Sequence, residues 1–398
     1  MNGLNKPPNR TRDYFQRISK VIYLMGAQDY WCEDLNLPSA VKLFHFCFMN
    51  FVNVASVALI LSQWAVYFTD QKLTAKQSFD SKLFALAHPL SLGTVLITEK
   101  SRKKVSQLLQ KLTIDLKEVH NDESVETAMM KKSKFVLKCY STMIFMTAFL
   151  FGLEGFMMVK RGHTFVTMVT AWPDFEDTST TASASRVIIY IVWCFLLIRL
   201  TSVFIMVIPL SICLSHQYKN LCSYFIKLND IFKEDCSQEE KEIKYEKAFK
   251  VGIQLHSETM VCAHQLQELF GAVYGGQIII KSTSVMAMMS SMANAERTLS
   301  HVVSTIGTAS YSLISLGYLI CYAGYTTVEA ASLPSAIFFS GWQNCTKKTN
   351  TRIRPLVVIA LLMSQRPVVL KCLGSVTLSF SSYVTIVKSC YSGFSVLY

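Results

Sequence analysis

The 398-residue sequence predicts an all-α, polytopic membrane protein with seven transmembrane helices and a cytosolic N-terminus. Three observations carry that expectation. Apolar residues make up 51% of the chain and charged residues only 17%, whereas a soluble domain carries about 25% charge. The apolar residues gather into stretches close to the ~20 residues that a spanning helix needs. The lysines and arginines fall unevenly between those stretches. The net charge of +12 does not point to nucleic acid, because the basic residues flank apolar segments and form no polar domain of their own.

Residues 1–42 are basic and polar (Arg10, Arg12, Arg17, Lys20) and lack the apolar core of a secretory leader, so a cytosolic segment is expected and the first span serves as targeting signal. That span is Leu43–Phe68. The second, Phe79–Thr98, is weaker, with Lys82 and His88-Pro89 inside it. The third is Phe135–Val159. The fourth, Val187–Leu214, carries Arg199 and a kink-prone Pro209; residues 43–216 form the first bundle.

Residues 217–269 read as a cytosolic helical loop. Glu239–Lys250 favours helix, and Ile243, Phe249, Ile253, Met260, Leu266 and Leu269 recur at helical spacing into the next span. The fourth span continues the same way through Tyr218, Tyr224 and Phe225. Together they predict a cytosolic stalk built for protein–protein contact, although the same amphipathic pattern also fits a helix lying on the bilayer surface. The fifth span, about Phe270–Met292, contains Lys281 and a methionine cluster that reads as core filling; the sixth is about Val302–Gly324, so that 270–324 is a helical pair. Residues 325–367 are a second cytosolic segment. Residues 368–398 are read as one terminal helix, apolar but striped with Ser375, Ser379, Ser381, Ser382, Thr385, Ser389, Ser392 and Ser395. Such a stripe suits a helix that meets water or close-packed partners more than one facing lipid alone.

Orientation follows from charge. With the N-terminus inside, cytosolic segments hold 27 lysines and arginines and the outer loops six. The C-terminus is then outside, inverted relative to a G-protein-coupled receptor. None of the 12 cysteines falls in an outer loop, so no disulfide staples that face. The sequons at Asn9 and Asn344 fall on the cytosolic side, out of reach of glycosylation. Arg199, Lys281 and Glu154 are charges within spans and are expected to face the bundle interior; the depths of Arg199 and Glu154 differ by several ångströms, which argues against a pair. Catalytic and metal patterns are absent: there is no HExxH, no GxxxxGK[ST] and no paired CxxC, so neither an enzyme nor a cofactor is expected. No duplicated halves suggest a transporter.

The C-terminal third resembles the insect odorant receptor family. The residues that carry the resemblance run in order: His256, Leu266, Phe270 and Gln277 entering the fifth span, Glu329 and Trp342 across an Ala/Ser-rich segment, Arg352, the Gln365-Arg366-Pro367 step, and Tyr391-Ser392-Gly393-Phe394 in the last helix. A gustatory receptor, the nearest relative, commonly ends with Thr-Tyr, an apolar run and Gln-Phe; here Ser382-Tyr383 is present but Gln-Phe is not. Gly393 stands where many odorant receptors have an aromatic residue. The resemblance implies a ligand-gated, non-selective cation channel in the plasma membrane of sensory dendrites. It implies a heterotetramer with odorant co-receptor (Orco-type) subunits, surrounded by membrane lipid and anchored by the cytosolic ends of helices four to seven. It places an odorant pocket for a small, apolar volatile in the outer half of the bundle. The expected pocket residues are Phe84 and His88 on the second span; Phe149, Phe151, Phe156 and Met157 on the third; Ile189, Tyr190 and Trp193 on the fourth; Thr305 and Tyr311 on the sixth. The pore face is expected at Ser389, Ser392 and Val396, which lie three and four residues apart, with Lys388 turned away.

Overall fold

The chain, described by a computed structural model over residues 9–33, 37–69, 71, 73–294, 299–372 and 374–397, is a helical bundle whose helices begin where the sequence supplies caps. Lys72 and Arg297 of the charge argument, and the side chain of Val396, lie outside the described residues. Helix α1 (Arg10–Leu24) starts at Asn9, whose side chain accepts the Arg12 N–H. It is followed by α2 (Ser39–Ala65) and α3 (Ala75–Lys100). Thr74 and Gln77 form a reciprocal capping box at the start of α3. The short α4 (Arg102–Gln110) and α5 (Leu116–Val119) lead to α6 (Glu123–Lys160), capped by Asp122. Helix α7 (Thr180–Leu228) is capped by Ser179. Then come α8 (Gln238–Asn294), α9 (Leu299–Ala330), α10 (Leu333–Phe338), α11 (Lys347–Ser364) and α12 (Phe380–Leu397).

Among the described residues, five helical stretches are long and apolar enough to cross a membrane: Ser39–Phe68, Asp80–Lys100, Glu123–Lys160, Thr180–Lys233 and Val302–Asn344. Their outer surfaces are apolar, with Phe44, Phe51 and Val54 of α2 and Phe135, Phe145 and Phe149 of α6 all exposed. So large an exposed apolar surface fits lipid, not water. The outer half of α8 is interrupted by Lys281, and α12 is only 18 residues long; both fall outside those five.

Helix α7 is the hub. Every residue from Thr201 to Tyr218 is buried, as expected of a helix apolar on all sides. Around it pack α1, α2, α3, α6, α8, α9 and α10. Its polar residues are answered by neighbours. Arg199, 2% exposed, sends Nη2 to Glu99 Oε1 of α3 at 2.7 Å and Nη1 to Asn53 Oδ1 of α2. Glu99 lies one residue past the second span as read from sequence, which hid it as the partner. Glu154 instead accepts from Ser304 Oγ at 2.8 Å.

Beyond the apolar spans, α7 and α8 run on unbroken and join α10 and α11 in a helical stalk. Glu242 of α8 accepts the Thr346 N–H at 2.7 Å and the Thr346 hydroxyl at 3.0 Å, holding the start of α11. Tyr245 and Ser340 hydroxyls meet at 2.7 Å, and Arg352 pairs with Glu246 at 3.2 Å. The segment before α6 is clamped to α7: Asn220 bonds the His120 carbonyl and the Asp122 N–H, while Asp122 Oδ2 accepts from Ser223 at 2.5 Å and Lys227 at 2.7 Å.

The terminal helix is shorter than the sequence suggests. Residues 368–379 do not continue it; they make a hairpin of β1 (Lys371–Cys372) and β2 (Val376–Thr377), paired Lys371 to Thr377 and Cys372 to Val376. Pro367 breaks the helix before it, and alternation buries Leu370 and Cys372 while Lys371 faces out. The Gln267 amide of α8 bonds both backbone groups of Lys371. The chain leaving the hairpin crosses α9 at Gly324, where a Cβ would stand 2.8 Å from the Leu378 carbonyl oxygen. Ser379 then caps α12 by accepting the Ser382 N–H.

Two outcomes test these contacts. Arg199→Ala leaves the half-buried Glu99 and Asn53 without their donor, so the purified protein should lose about 1–3 kcal/mol, and Arg199→Met with Glu99→Gln should recover much of it; a single-variant thermal midpoint equal to wild type would refute the pair. Burial, reinforced by the Lys227 ammonium, pushes His120 down to about 4. The unfolded chain therefore binds the proton better, and stability is complete above about 6.5 and declines as pH falls from there towards the folded value. Thermal midpoints of His120→Gln should be flatter over that window. Asp122, held low by its bonds from Lys227, Ser124 and Ser223, acts in a separate window, its contribution lost only as pH falls below about 3.9.

Candidate functional site

A cavity of about 140 Å³ lies among α3, α6, α7, α8 and α9. One side is aromatic. Phe84 of α3 stacks on His88 (4.9 Å between centroids) and tilts against Phe151 of α6 (6.3 Å), which tilts against Trp193 of α7 (5.3 Å). The Trp193 indole donates to His88 Nε2 at 3.1 Å, and His88 Nδ1 is 2.9 Å from Gln63 Oε1 of α2. An indole only donates and an amide oxygen only accepts, so the imidazole carries its proton on Nδ1 and is neutral. The line Trp193–His88–Gln63 fixes the angle of three helices at once.

Pro89 follows His88 and removes the N–H that would have paired with the Ala85 carbonyl. The Trp64 indole of α2 donates to that carbonyl at 2.9 Å instead. The proline in α3 thus creates a second tie to α2, next to the first.

The other side of the cavity is polar. Helix α9 presents Ser304, Thr305, Thr308, Tyr311 and Ser312, most of them one turn apart. Helix α8 presents Gln277, Lys281 and Ser284. The Lys281 ammonium sits 3.8 Å from the centre of the Tyr311 ring, a cation–π contact. Thr147 and Glu154 of α6 and Asp80 of α3 complete the wall. Met168, from the loop between α6 and α7, packs with Phe84, Trp193 and Leu59 of α2. That loop is strapped down by Arg186, which donates to the Asp174 and Asp177 carbonyls, and by Gln71, which donates to those of Thr170 and Ala171.

Of the expected pocket residues, Phe84, His88, Phe151, Trp193, Thr305 and Tyr311 line this cavity. Four do not. Phe149 and Phe156 are exposed on the outside of α6, because its inward face is set by Thr147, Phe151 and Glu154 at helical spacing. Tyr190 is turned towards α6, where its hydroxyl donates to the Ala148 carbonyl at 2.7 Å. Ile189 packs in the aromatic cluster one turn beyond Trp193 without reaching the cavity. No residue of α8 is among the expected pocket residues; Lys281, expected to face the bundle interior, is its one visible sign in the sequence.

Helix α12 buries one side against α8 and α9. Tyr383 donates to the Leu313 carbonyl at 3.2 Å, and the Cys390 thiol lies 3.9 Å from the Ser282 carbonyl. At Gly393 a Cβ would stand 2.9 Å from the Met286 sulfur, so a larger residue there requires the Met286 side chain to shift. Ser389 and Ser392 are exposed on the opposite side. Lys388 is exposed too, and four residues at 100° each put it only about 40° from Ser392.

The comparisons agree with this architecture. Residues 90–391, more than half of the chain, match the family model described as 7tm Odorant receptor. The insect olfactory receptor OR5 from Machilis hrabei, in complex with eugenol, is similar in structure with a TM-score of 0.80 at 14% sequence identity, over 98% of each chain. A second structure of that receptor gives 0.79 at 13% identity, again over 98% of each. No curated protein matches in sequence. With a family match of that extent and a predominantly helical, multi-pass fold of the same form, the chain belongs to the 7tm odorant receptor family.

Proposed function

We propose that this receptor subunit binds a small volatile in the cavity among α3, α6, α7, α8 and α9 and thereby opens a non-selective cation channel formed with odorant co-receptor subunits. On this reading the chain spans the membrane seven times, N-terminus inside and C-terminus outside, with α8 and α12 as the fifth and seventh spans. The observation that carries it is the cavity itself, aromatic on one side and polar on the other. Ligand sites combine an apolar lining with a few placed polar groups in this way. Its volume, about 140 Å³, is close to that of a dry protein cavity that takes up benzene. The ligand is therefore of single-ring size, largely apolar, with one hydrogen-bonding group for the α8–α9 side. The Machilis hrabei receptor of the same fold was solved with eugenol.

The route to the pore is short. Helices α8 and α9 each touch the cavity on one side and α12 on the other. Lys281 lines the cavity while its neighbour Ser282 meets Cys390; Tyr311 and Ser312 line it while Leu313 receives Tyr383. A ligand that fits better when α9 moves away from α6 pulls on α12 directly. Ser389, Ser392 and Val396 are the face of α12 proposed to line the pore.

Co-expression with the odorant co-receptor and a screen of single-ring volatiles by current tests this. Trp193→Ala should raise the half-maximal concentration of an active volatile by roughly tenfold or more, about 1.4 kcal/mol, whereas Phe149→Ala, on the outer surface, should leave it near wild type. Equal sensitivity of both variants would sink the cavity as the ligand site. Tyr383→Phe should change the current reached at saturating ligand more than the affinity. Ionic currents unaltered by Ser392→Ala and Val396→Ala, alone and together, would remove α12 from the pore.

A further inference from the structure

A second, larger groove of about 530 Å³ lies between α1 and α6, with Ile205 of α7 as its floor. The two helices run side by side in the same direction. Arg10 reaches Thr127 at 3.3 Å, Thr11 meets Glu126 at 2.7 Å and Tyr14 meets Ser133 at 2.7 Å, so the pairings advance together along both chains. Beyond Tyr14 and Ser133 the groove is lined by Arg17, Lys134, Leu137 and Lys138, and furthest along by Val21, Ser141 and Ile205. All three cations are exposed, and among the described residues none is paired with a carboxylate. Asp13 is the single acid in the lining, and Arg10 is already engaged by Glu123 at 3.4 Å.

The groove therefore has polarity along its length. Its basic level coincides with the point where α6 enters its apolar run, and its far end continues onto Phe145, exposed one turn beyond Ser141 on the same helix. Val21 and Leu24 of α1 are exposed on the facing side. A soluble anion would be served by the cations alone. An acidic peptide would have no use for a wall that merges into lipid-facing surface. A molecule with an anionic head and an apolar tail matches both levels in the right order.

We propose that this groove binds an anionic membrane phospholipid. Its phosphate accepts from Arg17, Lys134 and Lys138, and one acyl chain lies over Val21, Leu137 and Ile205. Guanidinium and ammonium groups are the usual donors to phosphate oxygens, and basic side chains at a membrane surface select anionic lipid over zwitterionic. The site would tie the amphipathic α1 to the third span through a lipid, independently of what the odorant cavity takes.

The test uses the full chain, purified from bilayers of mixed phosphatidylcholine and phosphatidic acid, with retained lipid counted by native mass spectrometry. One phosphatidic acid per chain should be retained in roughly tenfold preference over phosphatidylcholine. Combined Arg17→Gln, Lys134→Gln and Lys138→Gln should abolish that preference, while the same change at Lys241, Lys247 and Lys348 on the stalk should not. Leu137→Trp keeps every charge but fills the acyl track, and should also lose the lipid, which covers the case that the triple variant folds poorly. Three results overturn the proposal: unchanged retention in both groove variants, equal retention of phosphatidylcholine, or displacement by water-soluble glycerol phosphate as effective as by the lipid, which would mark a free-phosphate site.

Discussion

A polar group inside an apolar medium must find its partner within the protein. That constraint organises this bundle more than apolar packing does, since lipid is as good a neighbour for Leu or Phe as another helix is. The points where helices are held in register are the polar ones. Arg199 joins α7 to α3 and α2 through Glu99 and Asn53. Trp193, His88 and Gln63 join the same three helices again, further along. Trp64 answers the carbonyl that Pro89 leaves open, and Ser304 joins α9 to α6 through Glu154. Each of these contacts has one geometry, whereas apolar faces can slide.

The cavity is a consequence of that pinning. Helices α2, α3 and α7 are tied on one side and α6 and α9 on the other, and the space between is bounded by side chains whose polar ends are already engaged. His88 illustrates this. It faces the cavity with its ring stacked on Phe84, yet both nitrogens are occupied by Trp193 and Gln63. It shapes the wall as a flat, neutral surface. Gln277 of α8, its amide nitrogen buried without a partner among the described residues, is a group left to meet a ligand's polar atom.

Much of this was legible in the sequence because it depends on residue type at helical depth. Phe84, His88, Phe151, Trp193, Thr305 and Tyr311 sit at matching heights in successive apolar segments, and the geometry brings them together. Depth alone does not give rotation, which is why Phe149 and Phe156 were placed inward: the inward face of α6 is marked by the polar Thr147 and Glu154, a signal weaker in hydropathy than a phenylalanine. The share of α8 was hidden because Gln277, Lys281 and Ser284 depress the very apolar signal used to find a span. The hairpin before α12 was hidden for the opposite reason: Val368, Leu370, Cys372 and Val376 are as apolar as a span, and only Pro367 and the alternation of burial give it away. Glu99 stands one residue beyond the apolar run, where hydropathy marks no partner for Arg199.

Coupling between ligand and pore requires that the ligand favour one arrangement over another, because equal affinity for both shifts nothing. On the proposed reading, the size of the closed cavity supplies the difference. At about 140 Å³ it is filled by a single ring, and any larger ligand is accommodated only where a wall gives way. The walls towards α2, α3 and α7 are held by buried hydrogen bonds and the Arg199 ion pair. The α9 wall rests on α6 through the Ser304–Glu154 bond and on α8 through the contact between Lys281 and Tyr311. It is also the wall that carries the Leu313 carbonyl held by Tyr383 and the glycine against which the chain enters α12. Ligand size in the cavity and the position of the terminal helix then become a single mechanical variable.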